Sequence, residues 1–493
     1  MNVIWLKRDF RTRDHEPIYR AIETGEANLI VWIVEPSLID HPEMSLRHWQ
    51  FMWASFKEFK QRVTDHGGDA FAIYGEVCPI LSALHSKGVF NRLFSHQESG
   101  LLSTFNRDKE VAEFCRKHSI EWVEYRQQGV TRGRKHRSDW DVDWRALMSA
   151  SRKNPSWKKA LWSDLPTVLF KPFPKSLKSE WDRYPINYQA AGEKAAHERL
   201  GSFLNERSHH YRSQIGKPGL AIESCSRLST HLAWGTISVR QVYQAARAAW
   251  KKGNKRNLSA FISRIHWHCH FIQKFESECR MEFEDLNRGF EGLEKPYRAD
   301  WVEAWKKGET GVPMVDACMR SLNTTGYLNF RMRAMLVSFL THHLWQPWQK
   351  GAPHLANVFL DFEPGIHFPQ LQMQAGTTGI NLVRLYNPVK QGLDHDPDGH
   401  FIRKWIPELE AVPTEFIHEP WSMTLMEQEL YRFKLGEQYP APIVNVEESA
   451  RRARKKIWAA QKWASVRKER FRILAMHTTA ERSISKRTKR ILE

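Results

Sequence analysis

The apolar positions of the first 125 or so residues alternate between two periods. Short runs of apolar and β-branched residues are separated by longer stretches in which apolar residues recur every three or four positions. Alternation of this kind predicts a parallel sheet with helices on both faces. The predicted strands are Asn2–Leu6, Asn28–Val34, Ala70–Tyr74, Val89–Ser95 and Ile120–Tyr125, and the predicted helices are Glu16–Thr24, Ser45–Asp65, Val77–Ser86 and Ser103–His118.

The pattern changes twice further along the chain. Residues 126–195 hold charge runs, several prolines and few periodic apolar stretches, which is typical of a linker. From residue 196 the period is helical. We therefore expect an α/β domain over 1–125, an interdomain linker over 126–195, an all-helical domain over 196–449 and a basic C-terminal helix or tail over 450–493.

Charge is unevenly distributed. The chain has a formal net charge of +18, and the segment from Ala450 to Glu493 contributes +12 of it, with 15 Lys and Arg against 3 Asp and Glu. Such a segment either binds phosphates of a nucleic acid without regard to sequence or forms a solvated helix face and tail.

Several classes of site and location are disfavoured. The six cysteines are scattered without a CxxC pair, which argues against a zinc ribbon and fits a reduced, cytoplasmic protein. No apolar run is long enough for a membrane span, and no secretion signal is evident. His266 and His270 have the i, i+4 spacing of metal ligands, but no third ligand is identifiable, so we expect no metal.

The block from Glu309 to Pro388 carries the most specific signal. It opens Glu309-Thr310-Gly311-Val312-Pro313-Met314-Val315-Asp316, continues through Gly326-Tyr327-Leu328-Asn329-Phe330-Arg331-Met332-Arg333 to Asp361-Phe362-Glu363-Pro364-Gly365, and closes Tyr386-Asn387-Pro388. This block resembles the flavin-binding core of the photolyase/cryptochrome family. The resemblance implies an α/β N-terminal domain of the antenna type, an all-helical C-terminal FAD-binding domain, and FAD as cofactor.

The same resemblance supplies a set of cofactor-binding positions. Cys225 to Ser229 lie at the family's phosphate loop, with Cys225 where a threonine is usual, and small hydroxyl residues at a helix start suit a pyrophosphate. Glu363 replaces the aspartate that contacts the flavin edge. The full set implied is Tyr211, Cys225, Ser226, Arg227, Leu228, Ser229, Phe261, Arg264, His268, Phe330, Arg333, Asp361, Glu363 and His367.

Five of the matching positions would carry the chemistry. Trp267 would stack on a damaged base, beside His268 in place of the usual arginine. Arg333 and Asp361 match the ion pair that stabilises a reduced flavin. His367 falls where a residue faces flavin N5, and a histidine there could donate a hydrogen bond or transfer a proton near neutral pH.

Other positions depart from the family pattern. Leu371 stands where the tryptophan nearest the flavin is usual, while Trp348 keeps the middle position of the family's electron-transfer chain. Phe330, Ala334 and Met373 also differ, and Arg264 stands at the acidic position one turn before Trp267. We therefore expect photoreduction by the usual tryptophan route to be impaired.

The resemblance implies a blue-light-driven DNA photolyase that splits UV-induced pyrimidine dimers by electron transfer from excited reduced FAD. A cryptochrome-type photoreceptor without repair activity and a DNA-binding flavoprotein without repair remain alternatives. The expected partner is UV-damaged DNA, without a membrane, and the expected state is a monomer. A second antenna chromophore of the folate or deazaflavin type would sit near Ser95–Gly100, with its identity open.

Overall fold

The N-terminal region is built on a parallel sheet. A computed structural model describes residues 1–88, 90–166 and 170–478. The sheet order is β3-β2-β1-β4-β5, with β6 pairing β2 beside β3, and every pairing is parallel. The strands are β1 (Asn2–Leu6), β2 (Ala27–Val34), β3 (Ala70–Tyr74), β4 (Arg92–His96), β5 (Glu121–Tyr125) and β6 (Leu161–Trp162).

The predicted fold class is confirmed, and the strands lie close to their predicted bounds. β1 is buried along its whole length between β2 and β4, because its apolar residues face helices on both sides of the sheet. β4 begins at Arg92 rather than at Val89, which lies outside the described residues. β6 was not predicted, since two residues carry no periodic signal.

Helices make up most of the remaining structure. The α-helices are α1 (Glu16–Glu23), α2 (Pro36–Ile39), α3 (Leu46–Thr64), α4 (Val77–Ser86), α5 (Leu102–Lys117), α6 (Trp140–Ser149), α7 (Lys175–Trp181), α8 (Gly192–Asn205), α9 (Tyr211–Gln214), α10 (Pro218–Ser224), α11 (Ser229–Ala233), α12 (Val239–Lys252), α13 (Lys255–Ser277), α14 (Ala299–Lys307), α15 (Pro313–Thr325), α16 (Phe330–Ser338), α17 (Ala352–Val358), α18 (Pro364–Ala375), α19 (Pro388–His395), α20 (His400–Trp405), α21 (Leu425–Leu430), α22 (Val446–Ala460) and α23 (Ala464–His477). In the described ranges, no helix combines the length and apolar character of a membrane span.

Two arginines of the charge run that precedes α6 make contacts within the fold. Arg132 forms ion pairs with Asp108 and Glu124, and its Nε lies 3.6 Å from Glu276 of α13. Arg137 is buried, and its guanidinium donates to the His270 carbonyl at 2.8 Å. These contacts join the sheet region to the helical region.

Two helices frame the central cavity of the helical region. α16 runs into a π-helical turn over Phe339–His343. The Nε2 atom of His342 in that turn lies 2.9 Å from the Gln374 carbonyl of α18, so the turn ties the two helices together. π-turns frequently accompany functional sites.

Candidate active site

A largely apolar cavity of about 570 Å³ opens between α16, α17 and α18. Four of its lining residues, His367, Gln370, Leu371 and Gln374, follow the i, i+3, i+4, i+7 spacing of one helix face. The cavity reaches the surface beside Phe330, whose side chain is 46% exposed. The lining residues are Phe330, Arg333, Ala334, Val337, Leu355, Phe359, Asp361, Phe362, Glu363, Ile366, His367, Gln370, Leu371 and Gln374.

Arg333 and Asp361 form the predicted ion pair at the cavity wall. The guanidinium donates from Nη1 and Nη2 to the two carboxylate oxygens, at 3.0 and 2.9 Å, which is the bidentate geometry of strong pairs. Burial by itself would raise the pKa of Asp361, but Arg333 and the Ser229 hydroxyl outweigh it and hold the pKa below its usual range. The pair is therefore charged at neutral pH.

The loop before α11 concentrates positive charge next to this pair. Arg227 has φ +59° and packs its guanidinium 3.6 Å from the centre of the Tyr327 ring. Burial lowers the pKa of Arg227, and the neighbouring charge of Arg199 lowers it further. Arg207 donates to the carbonyls of Glu223 and Cys225 and so fixes the loop. Excess positive charge at such a loop suits an anionic ligand.

The remaining loop positions lie around the same charge. Ser226 accepts from the Leu228 N–H at 3.4 Å, and Leu228 is buried in the core. Ser229 begins α11 and hydrogen-bonds Asp361, which connects the loop to the cavity. Burial raises the pKa of Cys225 to about 11, so its thiol is neutral.

Three predicted flavin residues lie behind the loop. Tyr211 is buried and packs edge-on against Phe261 at 6.0 Å. Arg264 is exposed and hydrogen-bonds Tyr211. None of these three residues lines the cavity itself.

His367 lines the cavity, and its ring is fixed by a main-chain carbonyl. Its Nε2 lies 3.0 Å from the Ala352 carbonyl and must carry the proton, which leaves Nδ1 as an acceptor. Burial lowers the pKa of His367 to about 4. The side chain is neutral near pH 7, because burial disfavours its charged form.

Glu363 is shared between the cavity and the N-terminal region. Its Oε2 accepts from Arg8 Nη2 at 3.2 Å, and its Oε1 accepts from the Gly365 N–H at 3.4 Å at the start of α18. Burial raises the pKa of Glu363. Arg8 also donates to the carbonyls of Ala233 and Phe362, so one guanidinium joins the sheet region to the cavity wall.

Trp267 and His268 lie on α13 and are not among the residues that line the cavity. Trp267 is partly buried and packs on His270 and Phe271, at 5.8 and 5.7 Å between ring centres. His268 Nε2 lies 3.2 Å from the Gln128 side-chain oxygen, and burial lowers its pKa to about 4. Met373 is also absent from the lining, whereas Ala334 is present.

The electron-transfer positions show a gap. Leu371 lines the cavity where the resemblance places a tryptophan. Trp348 is buried, donates to Asp285 at 2.7 Å, and packs edge-on against Phe368 at 6.5 Å. Phe368 in turn contacts His367. Among the described residues, this sequence of contacts reaches the cavity through Phe368 and His367 and not through a tryptophan or tyrosine.

A second cavity of about 590 Å³ lies at the C-terminal edge of the sheet. It includes Glu98 and Gly100 from the predicted antenna segment, together with Glu35, Arg107 and Phe362. Arg107 pairs with Glu35 and Glu98 at 2.8 and 2.6 Å, and burial raises the pKa of Glu35 to about 6. Phe362 also lines the first cavity, so the two cavities share this lining residue.

Asp9, His15 and His96 bring possible metal-ligand atoms within 4.8 Å of one another. Hydrogen bonds account for this cluster. The Ile18 N–H donates to His15 Nδ1 at 3.3 Å, so Nε2 carries the His15 proton and faces Asp9. A metal-bound histidine donates from its other nitrogen, which is the opposite arrangement. The Arg11 guanidinium, 3.5 Å from His96, further disfavours a cation.

The residues present fit FAD at the first cavity. Gln370 Oε1 is buried at its wall with no partner among the described residues, as a polar heterocycle would require. Arg227 Nε is likewise buried without a partner there, beside a loop that suits phosphates. Apolar walls, one ion pair and unpartnered polar atoms together match an amphipathic, anionic ligand.

These features define a flavin-binding protein with a parallel sheet in its N-terminal region and a largely helical C-terminal region. The family model described as the FAD-binding domain of DNA photolyase matches residues 261–459, and the model described as DNA photolyase matches residues 2–141. The two matches together cover more than half of the chain. The protein belongs to the photolyase/cryptochrome family, and FAD is its cofactor.

Relatives in this family carry both kinds of name. A deoxyribodipyrimidine photo-lyase of Alkalihalophilus pseudofirmus is 28% identical, over 92% of this chain and 97% of the relative. A cryptochrome DASH of Gloeobacter violaceus is 32% identical over 47% of each chain. The crystal structure of a class III photolyase from Agrobacterium tumefaciens is 24% identical with a TM-score of 0.78, covering 94% of this chain and 98% of that one, and shows the shared fold.

Sequence reasoning missed three contributors to the site. Gln370 could have been found, because it lies one helical turn from His367 and Gln374. The contacts of Arg8 and Arg207 left no local signal in the sequence. Arg8 donates to carbonyls that are distant in sequence, and Arg207 donates to a carbonyl that only the shape of the loop makes accessible.

Proposed function

We propose that this protein is a DNA photolyase that repairs UV-induced pyrimidine dimers in blue light. The cavity carries the proposal, because it combines the Arg333–Asp361 pair with a mouth that opens to solvent at an aromatic ring. When bound and reduced, FAD supplies an electron on excitation, and the electron returns after the dimer splits.

The protein's own residues would prepare this chemistry in two ways. Arg333 is held by Asp361, and the neighbouring Arg227 adds an excess of positive charge that favours a negatively charged ligand. Apolar side chains such as Val337, Leu355 and Leu371 exclude water and so strengthen the electrostatic contacts. His367 stays neutral and offers only an acceptor nitrogen.

The substrate contact differs from the one the sequence suggested. Phe330, rather than Trp267, is the exposed ring beside the cavity, so we assign it the stacking role toward an extruded base. UV-damaged DNA is the substrate class that fits, since a damaged pair costs less to extrude than an intact one. The second cavity is our candidate for an antenna chromophore whose identity is open.

The competing function is light sensing without repair. It is favoured by the position of Trp267 outside the cavity lining, which removes the expected stacking platform. Leu371 counts against it, because photoreduction by the usual route lacks its first donor.

The test is to illuminate the FAD-loaded protein with oligonucleotides that carry either a cyclobutane dimer or a (6-4) lesion. We expect light-dependent loss of one lesion, in single or double strands, with none lost in the dark. A light-induced change in flavin absorption with every lesion left intact would instead support the sensor.

A further inference from the structure

The last two helices of the described residues, α22 and α23, each bury an apolar face and expose a basic face. In α22, Ala453, Ile457 and Ala460 are buried, and in α23, Val466 and Ile473 are buried. Their apolar residues are therefore already used in the fold. The exposed faces are free to meet another molecule.

Both exposed faces repeat one arrangement of side chains. Trp458 is 59% exposed, with Arg454 one turn before it, Lys455 beside Arg454, and Lys462 just beyond the end of α22. Phe471 is also 59% exposed, with Arg467 and Lys468 one turn before it. Residues three and four positions apart are neighbours on a helix surface. Each helix thus surrounds one exposed ring with cationic groups.

The cations on these faces are not neutralised by their surroundings. Within residues 1–88, 90–166 and 170–478, no carboxylate oxygen lies within 4.0 Å of Arg454, Lys455, Lys462, Arg467 or Lys468. The acidic residue of α23, Glu469, pairs with Arg472 instead. Unpaired cations on a folded surface favour a polyanionic partner.

This surface is connected to the active site through packing. Ala453 and Ile457 of α22 pack in one cluster with Val383 and Leu385. Those two residues belong to the segment that follows α18, and α18 forms a wall of the flavin cavity. The buried face of α22 therefore packs on the segment that follows this wall.

We propose that the exposed faces of α22 and α23 bind single-stranded DNA without requiring a lesion. The cations contact phosphates, and Trp458 and Phe471 stack on unpaired bases. Single strands are favoured over duplexes because stacking needs a free base face. A lipid surface is disfavoured, since membrane helices bury a continuous apolar face, whereas here the exposed rings are interspersed with cations.

The experiment measures fluorescence anisotropy of a labelled, lesion-free oligothymidylate titrated with the full-length, FAD-loaded protein over a range of salt concentrations. The variants are Arg454→Glu/Lys455→Glu and Trp458→Ala/Phe471→Ala. The charge control is Lys251→Glu/Lys252→Glu, which makes the same charge change at exposed positions ending α12. Trp458→Phe keeps an aromatic ring and should retain affinity.

We expect the glutamate pair to weaken binding at least tenfold and to reduce the slope of log K against log salt by about 1.4, at about 0.7 per phosphate contact on single strands. The alanine pair should weaken binding at least about fivefold. The control should change affinity by less than threefold. Unchanged flavin absorbance and unchanged thermal unfolding identify variants that remain folded.

The proposal would be overturned if the wild type and both variants bound the oligonucleotide with equal affinity. It would also be overturned if the α12 control lost as much affinity as the glutamate variant of α22. Binding to anionic vesicles that depends on Trp458, without binding to the oligonucleotide, would also overturn it. The oligonucleotide carries no lesion, so this measurement tests the DNA-binding surface independently of the proposed repair activity.

Discussion

Arg333 and Asp361 form the interaction on which the flavin site most depends. Replacing Asp361 with Asn removes the countercharge but keeps the shape. We expect the free energy of unfolding to fall by about 3 kcal/mol, because the Arg333 charge loses its partner in a largely buried setting. FAD retention through gel filtration should fall as well.

The matched control for this change is Asp394→Asn. Asp394 pairs with Lys390 on the surface, where both side chains are well exposed, so its loss should cost less than about 0.5 kcal/mol. Similar denaturation midpoints and FAD contents for the two variants would show that the Arg333–Asp361 pair has no special role.

Leu371 allows a direct test of the interrupted electron route. Leu371→Trp places an oxidisable ring on the cavity wall, toward the side where Trp348 lies behind Phe368. We expect faster photoreduction of bound FAD, followed by its absorbance under blue light with an external reductant. Leu371→Phe adds a ring of comparable shape that is not readily oxidised, and it should leave the rate unchanged. Equal rates for all three proteins would contradict the interrupted route.

At the scale of elements, the contact between α11 and the segment after β1 holds the two regions together. Gly235 has φ +68°, and a Cβ atom there would lie 1.9 Å from the Arg8 carbonyl oxygen. Since a backbone atom cannot rotate away, Gly235→Ala should lower the free energy of unfolding by about 3 kcal/mol or more. Gly25→Ala is the control.

Gly25 has φ +73° and nothing within 4 Å of the added Cβ, so it isolates the backbone cost. That cost is about 1 kcal/mol. Denaturant midpoints of the two variants give the difference. Equal midpoints would mean that the close approach at Arg8 is not a constraint.

The elements also show what sequence alone could predict. β1, β3 and α4 were placed at their observed bounds, because buried strands and an apolar helix between them leave a clear period. β6 and the short helices of residues 126–195 could not be placed, since tertiary contacts such as Arg132 with Asp108 determine them.

The candidate site also has features that the sequence predicts and features that depend on tertiary contacts. Arg333 and Asp361 were predicted as a pair, and the structure has them bonded, because a motif fixes their helix and loop positions. The protonation of His367 and the diversion of Glu363 toward Arg8 were not predictable. Both depend on burial and on groups far away in sequence.

At the scale of the whole molecule, buried histidines make stability depend on pH. Burial lowers the pKa of His48, His96 and His231 to about 3 and of His268 and His367 to about 4. The ordinary value is about 6.5, so the unfolded chain takes up protons first as pH falls. Their contribution to stability is complete above about pH 6.5 and is lost progressively toward pH 4.

Buried acids with a raised pKa have the opposite effect on stability, and they are fewer than the buried histidines. Burial raises the pKa of Glu282 to about 7 and of Asp316 to about 6, so their contribution is present at low pH and lost as pH rises. We still expect denaturant midpoints to fall from pH 7 to pH 5. His48→Gln should flatten the curve by up to about 1.4 kcal/mol per pH unit. A denaturant midpoint that does not change with pH would contradict the claim that the buried histidines are neutral.

The central claim is that the cavity holds FAD and uses light to repair DNA. The most direct measurement is an action spectrum, in which dimers lost from an irradiated oligonucleotide are counted at each wavelength and compared with the absorption of the bound flavin. We predict loss that follows the flavin band, with none in the dark and little with Asp361→Asn. An intact dimer population at every wavelength, with FAD bound and reduced, would contradict the account.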